Sequence, residues 1–170
     1  MASILQGWAL AEQGQEQAGI AQMRHGLRVW RATGAALAET SYLALMAQVC
    51  GATGQAEEGL RLLAEAFAAV EQREERYFEA ELHRLHGELL LARPAAERDA
   101  EACFLKATEI ARQQQAKSWE LRAATSLARL WQKQGRPEQA RQVLDPVYNW
   151  FTEGLDTLDL IGARSLLVSL

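Results

Sequence analysis

Two histidines and a glutamate near the middle of the chain are the residues best spaced to do chemistry. His83 and His86 are three positions apart, and Glu79 precedes His83 by four. On a helix this spacing places all three side chains on one face, where imidazole and carboxylate groups can ligate a metal ion. No third and fourth ligand follows at a convincing spacing. We therefore interpret these histidines as surface or interhelix residues and predict no metal and no cofactor.

Other catalytic patterns are missing from the sequence. There is no phosphate-binding glycine loop, no nucleophile elbow and no recognisable catalytic carboxylate pair. One carboxylate does recur at a nearly constant spacing, at Glu39, Glu79 and Glu120. A carboxylate repeated in one structural position indicates helix-start electrostatics or pairing between repeats rather than catalysis. We predict that the chain is not an enzyme.

A six-residue motif occurs three times and indicates what positions these side chains. It reads GQEQAG at 14–19, GQAEEG at 54–59 and GRPEQA at 135–140, each time between two stretches with helical apolar spacing. Glycine readily takes the left-handed conformation that ends a helix. A fourth copy lacks the glycine, and ARPAAERD at 92–99 replaces the turn. The pattern predicts four units of helix, tight turn and helix.

The apolar residues of the predicted helices recur with a period of about 40 residues, longer than the common helical-repeat spacing of about 34. Small residues recur in each second helix, at Gly19, Gly59, Ala100 and Ala140. A large apolar residue follows four positions later, at Met23, Leu63, Phe104 and Leu144. Small residues recur in each first helix at Gly7, Ala47, Gly87 and Ala128. A fixed period over nearly the whole chain is typical of a solenoid, in which no unit buries its apolar face alone.

This alternation of small residue, turn, small residue and large residue resembles the tetratricopeptide repeat. The resemblance implies an all-α fold, a right-handed solenoid of about four antiparallel helix pairs, as a single domain over residues 1–170. The segments GWALAEQGQ, AKSWELRAATSLARLWQKQG and WFTEGLDTLDL are also similar to the C-terminal repeat region of large bacterial signalling proteins. In those proteins a nucleotide-cyclase domain and an AAA-type ATPase domain precede the repeats. The chain also begins almost directly inside a helix, so we expect a fragment of a longer protein.

The C-terminal segment predicts one more amphipathic helix that caps the last repeat. Asp156 or Thr157 suits its N-cap. The residues expected on its buried face are Leu160, Ala163 and Leu167. Just before it, Pro146 removes a backbone donor from an otherwise helical pattern, which predicts a kink or break near Leu144–Pro146.

Composition and charge limit the compartment and the partners. No apolar run approaches the roughly 20 residues that span a bilayer, so no membrane insertion is expected. Cys50 and Cys103 lie in regular helical patterns, typical of core thiols in a reducing compartment, and we expect the cytoplasm. The net charge of −4 and the lack of aromatic residues interleaved with the basic ones argue against nucleic acid.

A polar stripe on the first helix of the last predicted pair is the candidate binding surface. It consists of Arg122, Thr125, Arg129, Gln132 and Lys133, opposite the apolar Leu127, Leu130 and Trp131. Glu81, Arg84 and Glu88 occupy corresponding places one repeat earlier. Residues 112–141 carry seven Lys or Arg against two Asp or Glu, whereas residues 57–101 carry six against twelve. A solvated helix face explains much of this uneven distribution of charge. The sharper hypothesis is a groove whose basic end receives a carboxylate or an acidic peptide. Its residues are Arg84, Glu88, Arg122, Arg129 and Lys133.

Three functions remain open from the sequence. The favoured one is a protein–protein interaction scaffold, a regulatory or sensing module of a larger bacterial signalling protein. The second is a structural or self-associating segment, a homo-oligomer in which the acidic part of one copy meets the basic part of another. The third, a metal- or small-molecule-dependent enzyme, is the least favoured.

Overall fold

The computed structural model describes residues 2–34 and 38–170, and every regular element in these ranges is helical. A short 3₁₀ turn, Arg76–Phe78, precedes α5. The α-helices are α1 Ala2–Glu12, α2 Glu16–Ala32, α3 Glu39–Ala52, α4 Ala56–Arg73, α5 Glu79–Leu90, α6 Glu97–Gln113, α7 Lys117–Lys133, α8 Pro137–Tyr148 and α9 Leu158–Ser169. The predicted all-α class is confirmed.

The helices pack as consecutive antiparallel pairs in two compact units. The first unit, Met1–Phe78, contains the pairs α1–α2 and α3–α4. The second unit, Glu79–Leu170, contains α5–α6 and α7–α8, with α9 against both helices of the last pair. Within the described ranges, four pairs and a terminal helix therefore match the sequence prediction. The expected single domain over 1–170 stays a prediction.

The small residues of the repeat lie where paired helices come closest. A Cβ atom added to Gly7 would lie 2.6 Å from the carbonyl oxygen of Gly19, and one added to Gly19 would lie 2.5 Å from the carbonyl oxygen of Gly7. A side chain at either position would force α1 and α2 apart. In the second unit, a Cβ atom on Gly87 would lie 2.5 Å from a ring carbon of Phe104. The large residues of the motif are all 0% exposed, at Met23, Leu63, Phe104 and Leu144.

The turn within each pair contains a residue in the left-handed conformation. Gly14, Gly54 and Gly135 have φ angles of +80°, +75° and +72°. In the copy without glycine, Ala95 takes this place with φ +56°. The turn geometry therefore repeats in all four pairs, although the glycine does not.

The terminal helix α9 caps the last pair as predicted. Thr157 is its N-cap residue and has extended backbone angles. The buried face of α9 comprises Leu160, Ala163, Leu166 and Leu167 and packs in one cluster with Leu121, Ala124, Ala128, Ala140, Leu144 and Val147. Because these side chains come from α7, α8 and α9, the terminal helix covers apolar surface that the last pair cannot bury alone.

The break predicted near Leu144–Pro146 is wrong. Helix α8 continues through Pro146 and ends at Tyr148. Leu144 and Val147 are 0% and 2% exposed on either side of the proline, so their packing in the core keeps the helical register. The backbone N–H of Asn149 donates to the carbonyl of Asp145 over 3.0 Å, which restores the helical bonding just after Pro146. A bend without a break stays a prediction.

Candidate functional site

The predicted polar stripe divides into a buried part and an exposed part. The buried part is centred on Glu81 and Arg84 of α5, which are 2% and 9% exposed. Nε of Arg84 donates to Oε2 of Glu81 over 2.8 Å, and Nη2 of Arg84 donates to Oε1 over 2.8 Å. This two-point pairing satisfies both planar groups, as a buried carboxylate requires.

Two residues of α7 complete this buried network. Nη2 of Arg122 lies 2.9 Å from Oε1 of Glu81, and the guanidinium stacks 5.4 Å from the ring centre of Trp119. The hydroxyl of Ser126 donates to Oε1 of Glu88 over 2.6 Å, while Nη1 of Arg84 is 3.4 Å from the same oxygen. The network therefore joins α5 to α7 by charge as well as by apolar packing.

The expectation that Arg84 belongs to an open polar stripe is therefore corrected. Its aliphatic stem and guanidinium lie between α5 and α7, where Glu81 and Glu88 neutralise the charge. Burial by itself lowers the pKa of Arg84, but the hydrogen bonds and charges of Glu81, Glu88 and Asp159 outweigh it and raise the pKa above its ordinary value. Arg84 is thus firmly charged. Thr125 is also buried, and its hydroxyl donates to the carbonyl of Leu121 over 2.7 Å.

The exposed part of the stripe is Arg129 and Lys133. Both side chains lie at an open groove of about 430 Å³ between α7 and α9. The other residues that line this groove are Gln132, Gly162, Ser165, Leu166 and Ser169. Within residues 2–34 and 38–170, no carboxylate pairs with Arg129 or Lys133. Gln132 is bonded across the groove, since its Nε2 donates to Oγ of Ser169 over 3.0 Å. The groove therefore carries two cations whose charges are still available.

The recurring carboxylate forms ion pairs between consecutive helices. Glu39 accepts from Nε of Arg31 over 2.6 Å and is 2.6 Å from Nη1 of Arg73. Glu120 repeats the first pair two repeats further along the chain, where it accepts from Nε of Arg112 over 2.7 Å. The interpretation as pairing between repeats is confirmed at these two positions.

Burial and pairing act in opposite directions on these two carboxylates. Burial would raise the pKa of Glu39, but the hydrogen bonds and charges of Arg31 and Arg73 outweigh it, and its pKa lies below the ordinary value. Glu120 is governed in the same way: burial would raise its pKa, and Arg112 and Lys117 lower it. Both groups are therefore ionised structural anchors.

The histidine pair is half-buried between α5 and α6. Sγ of Cys103 lies 3.6 Å from Nδ1 of His86. Burial lowers the pKa of both His83 and His86 and raises the pKa of the Cys103 thiol. In the described part of the chain, no three His, Cys, Asp or Glu side chains converge as a metal site would require. The arrangement is that of neutral groups packed between helices.

Sequence reasoning missed Ser126 and Ser165. Ser126 joins Glu88 to Arg84, and Ser165 lines the groove beside Arg129 and Lys133. Isolated serines in helices carry no signal of their own. Ser126 could have been found from its place one turn after Arg122, on the face that meets α5.

None of the described helices combines the length and the apolar character that crossing a membrane requires. No family model matches the chain. An uncharacterized protein of Rhizobium meliloti (strain 1021) is 34% identical over 128 residues. The match covers 75% of this chain and 12% of that protein, so the chain spans about an eighth of the relative.

Two solved structures have the same fold as the chain. They are the nearly identical TPR-like repeats of a Podosopora anserina protein described as a kinesin light chain, and its Q17M variant. Both superpose with a TM-score of 0.71 at 16% identity. The alignments cover 99% of this chain and 83% and 82% of those chains. The chain thus has a TPR-like repeat fold.

Proposed function

We propose that this chain is the protein-interaction module of a larger bacterial signalling protein and that it receives an acidic segment of its partner at Arg129 and Lys133. The observation that carries the proposal is that some of these basic residues are paired with carboxylates within the structure and others are not. Arg84 and Arg122 are engaged by Glu81, whereas Arg129 and Lys133 border an open groove without a carboxylate. Two cations on one edge of a groove suit a carboxylate side chain or chain end.

The bacterial relative supports the proposal that this chain is part of a larger protein. That protein shares 34% identity with this chain over only 12% of its own length. A repeat module inside a long chain can report the binding of a partner to neighbouring domains. The free thiols Cys50 and Cys103 agree with a reducing compartment, and we propose the cytoplasm.

Binding of a defined extended peptide tests this function. The probe is a short fluorescein-labelled peptide of alternating Glu and Ser, followed by fluorescence anisotropy at low salt. We expect Arg129→Ala/Lys133→Ala to weaken binding about tenfold, which corresponds to about 1.4 kcal/mol. Added salt should weaken binding by the wild-type chain, because screening reduces attraction between exposed charges.

A charge-matched variant provides the control. Arg28→Ala/Arg98→Ala removes two exposed cations from α2 and α6, so that its net charge equals that of the groove variant. We expect its affinity to stay within about twofold of the wild type. Equal losses in the two variants would mean that the peptide responds to net charge alone, and the groove would not be the site.

A further inference from the structure

The groove between α7 and α9 presents hydrogen-bond donors from both of its walls. Arg129 and Lys133 lie one helical turn apart on α7, close enough for both to reach a single group. On α9, Ser165 is exposed, and within residues 2–34 and 38–170 its hydroxyl makes no hydrogen bond. None of the seven residues that line the groove is Asp, Glu or His. The groove therefore suits a ligand that supplies acceptors and negative charge.

The guanidinium of Arg129 reaches across the groove to α9. Its Nη2 lies 3.4 Å from the position that a Cβ atom on Gly162 would take, so the missing side chain leaves room for it. Ser165 follows Gly162 by three positions and is therefore its neighbour on the helix surface. Gln132 and Ser169 are already bonded to each other over 3.0 Å. The donors that remain for a ligand are the planar fork of Arg129, the hydroxyl of Ser165 and the flexible ammonium of Lys133.

The adjoining interface between α5 and α7 shows how this fold balances such cations. There the guanidinium groups of Arg84 and Arg122 both contact the carboxylate of Glu81, and Arg84 also contacts Glu88. Two cations are thus matched by two negative charges, and the hydroxyl of Ser126 donates to Glu88 over 2.6 Å. Between α7 and α9 two cations and a serine hydroxyl are again present, whereas the lining residues supply no negative charge. A ligand that completes the same balance brings two negative charges.

We propose that this groove is a binding site for a phosphate monoester, the group of a phosphorylated serine or threonine side chain. This inference rests on the proposed function and specifies the anion that the acidic segment carries. A phosphate monoester has a charge of about −1.5 to −2 at pH 7 and three strong acceptor oxygens, so one group balances both cations. A carboxylate has a single charge, and its two oxygens accept in one plane, whereas the donors here come from two helices.

The site does not depend on what covers the outer side of α9. Its cations belong to α7, and both of its walls are described helices that pack against each other. The exposed apolar residues of α9, Leu158, Ile161 and Val168, do not line it. The chemistry of the group is also the same whichever polypeptide carries the phosphorylated side chain. The ligand class therefore follows from the groove alone.

Three labelled peptides test the proposal on the full chain by fluorescence anisotropy at pH 7.5. The first is the extended Glu–Ser peptide, and the second is the same peptide phosphorylated on its central serine. The third has two further serines replaced by glutamate, so that its charge matches that of the phosphopeptide. We expect the phosphopeptide to bind at least about fivefold more tightly than the charge-matched peptide, since one phosphate accepts from Arg129, Lys133 and Ser165 together. Equal affinities would overturn the proposal, because the groove would then respond to charge alone.

The pH dependence of binding distinguishes the phosphate from a carboxylate. The second ionisation of a phosphate monoester has a pKa of about 6, so the dianion falls roughly fourfold in population between pH 7.5 and pH 5.5. Arg129 and Lys133 keep their charge over this range, and Asp159, the acidic residue of α9, lies 4.0 Å from Arg122 outside the groove lining. We expect the affinity of the phosphopeptide to fall about fourfold and that of the charge-matched peptide by less than about twofold. A parallel fall for both peptides would contradict the proposal.

Substitutions locate the phosphate in the groove. Ser165→Asp places a carboxylate beside the two cations, and Ser118→Asp makes the same exchange at an exposed position near the other end of α7. We expect Ser165→Asp to weaken binding of the phosphopeptide at least about tenfold and Ser118→Asp by less than about twofold. Thermal denaturation confirms that both variants are folded. Equal losses in the two variants would assign the effect to net charge and overturn the proposal.

Inorganic phosphate tests whether the groove takes the free ion instead. We expect it to displace the phosphopeptide only at concentrations at least about tenfold above the dissociation constant of the phosphopeptide, because the peptide makes further contacts. Displacement at an equal concentration would assign the groove to free phosphate and overturn the assignment to a phosphorylated side chain.

The unphosphorylated peptide separates this inference from the proposed function. If the Glu–Ser peptide binds through Arg129 and Lys133 and the phosphate adds no affinity, only the phosphate site is refuted. If neither the Glu–Ser peptide nor the phosphopeptide binds, the proposed function fails as well.

Discussion

Removal of the Glu81 carboxylate should destabilise the second unit far more than the loss of an ordinary helical ion pair. Glu81 is 2% exposed and accepts two hydrogen bonds from Arg84 and a third contact from Arg122. In Glu81→Ala the guanidinium of Arg84 stays buried, with the 3.4 Å contact to Glu88 as its remaining carboxylate contact and a 3.5 Å contact to the hydroxyl of Ser126. Breaking a buried pair costs roughly 3–5 kcal/mol, and the remaining contact places this case near 3 kcal/mol.

The chain offers a control with the same sequence spacing. Lys106 and Glu109 form an i, i+3 pair on α6, with side chains 50% and 55% exposed. Glu109→Ala should change the free energy of unfolding by less than about 0.5 kcal/mol, because exposed pairs contribute little. Both pairs lie within a helix and have the same spacing, so the difference between the two variants reports the burial of Glu81 together with its contact to Arg122.

Urea denaturation followed by far-ultraviolet circular dichroism measures both variants. Hydrogen exchange of the amides in α5 and α7 locates the loss in the second unit. Glu81→Gln keeps the size of the side chain without its charge, and we expect it to lose most of the same stability. If Glu81→Ala costs no more than Glu109→Ala, the charge of Arg84 is not held by Glu81 and the description of the buried network is wrong.

Three further predictions concern the helix contacts, the turns and pH. Gly87→Ala should cost about 1–3 kcal/mol in urea denaturation, because its Cβ atom meets the buried Phe104 ring. Gly162→Ala should instead stabilise by about 0.5–1 kcal/mol, because its Cβ atom meets only the end of an arginine side chain, at 3.4 Å. Ala95→Gly should raise the melting temperature, since its φ of +56° strains alanine by roughly 1–2 kcal/mol and glycine entropy offsets only part of this. The folded pKa of Glu39 is below its ordinary 4.5, so its stabilisation is complete above that pH and is lost as the pH falls through the folded pKa. Glu39→Gln should therefore flatten the fall in melting temperature between about pH 5 and pH 3, and an unchanged slope would contradict the pairing.

The repeat register was predictable because packing at a fixed period tolerates few residue types. At the small-residue position in the second helix of each pair, Gly19 and Gly59 are buried, and Ala100 and Ala140 are 0% exposed. A larger side chain would separate the paired helices, so the sequence carries a strong and regular signal. The bounds of the helices follow from the same register and from the turns between them.

The turns between consecutive pairs were less visible in the sequence. Left-handed residues recur there with the same period as the helices, at Gly34, Glu74, Gln115 and Gly154. Two of the four are not glycine, so a search for the glycine motif does not find them. The left-handed conformation recurs at these positions although the residue type differs, and at Glu74 and Gln115 it carries a strain that glycine would not.

The structure separates the predicted site residues into cations that are paired and cations that are not, and the pattern of a single helix could not have predicted this difference. Arg84, Arg122 and Arg129 all fall on the polar side of their helices, and their spacing alone gives them equal claims to a partner. Whether a cation is available depends on the neighbouring helix, and Glu81 engages both Arg84 and Arg122. In stacked helices, inward-facing charges are satisfied within the stack first, because an unpaired buried charge is costly. Arg129 and Lys133 differ from Arg84 and Arg122 in lining an open groove whose other lining residues include no carboxylate, which is why the proposed function places the partner there.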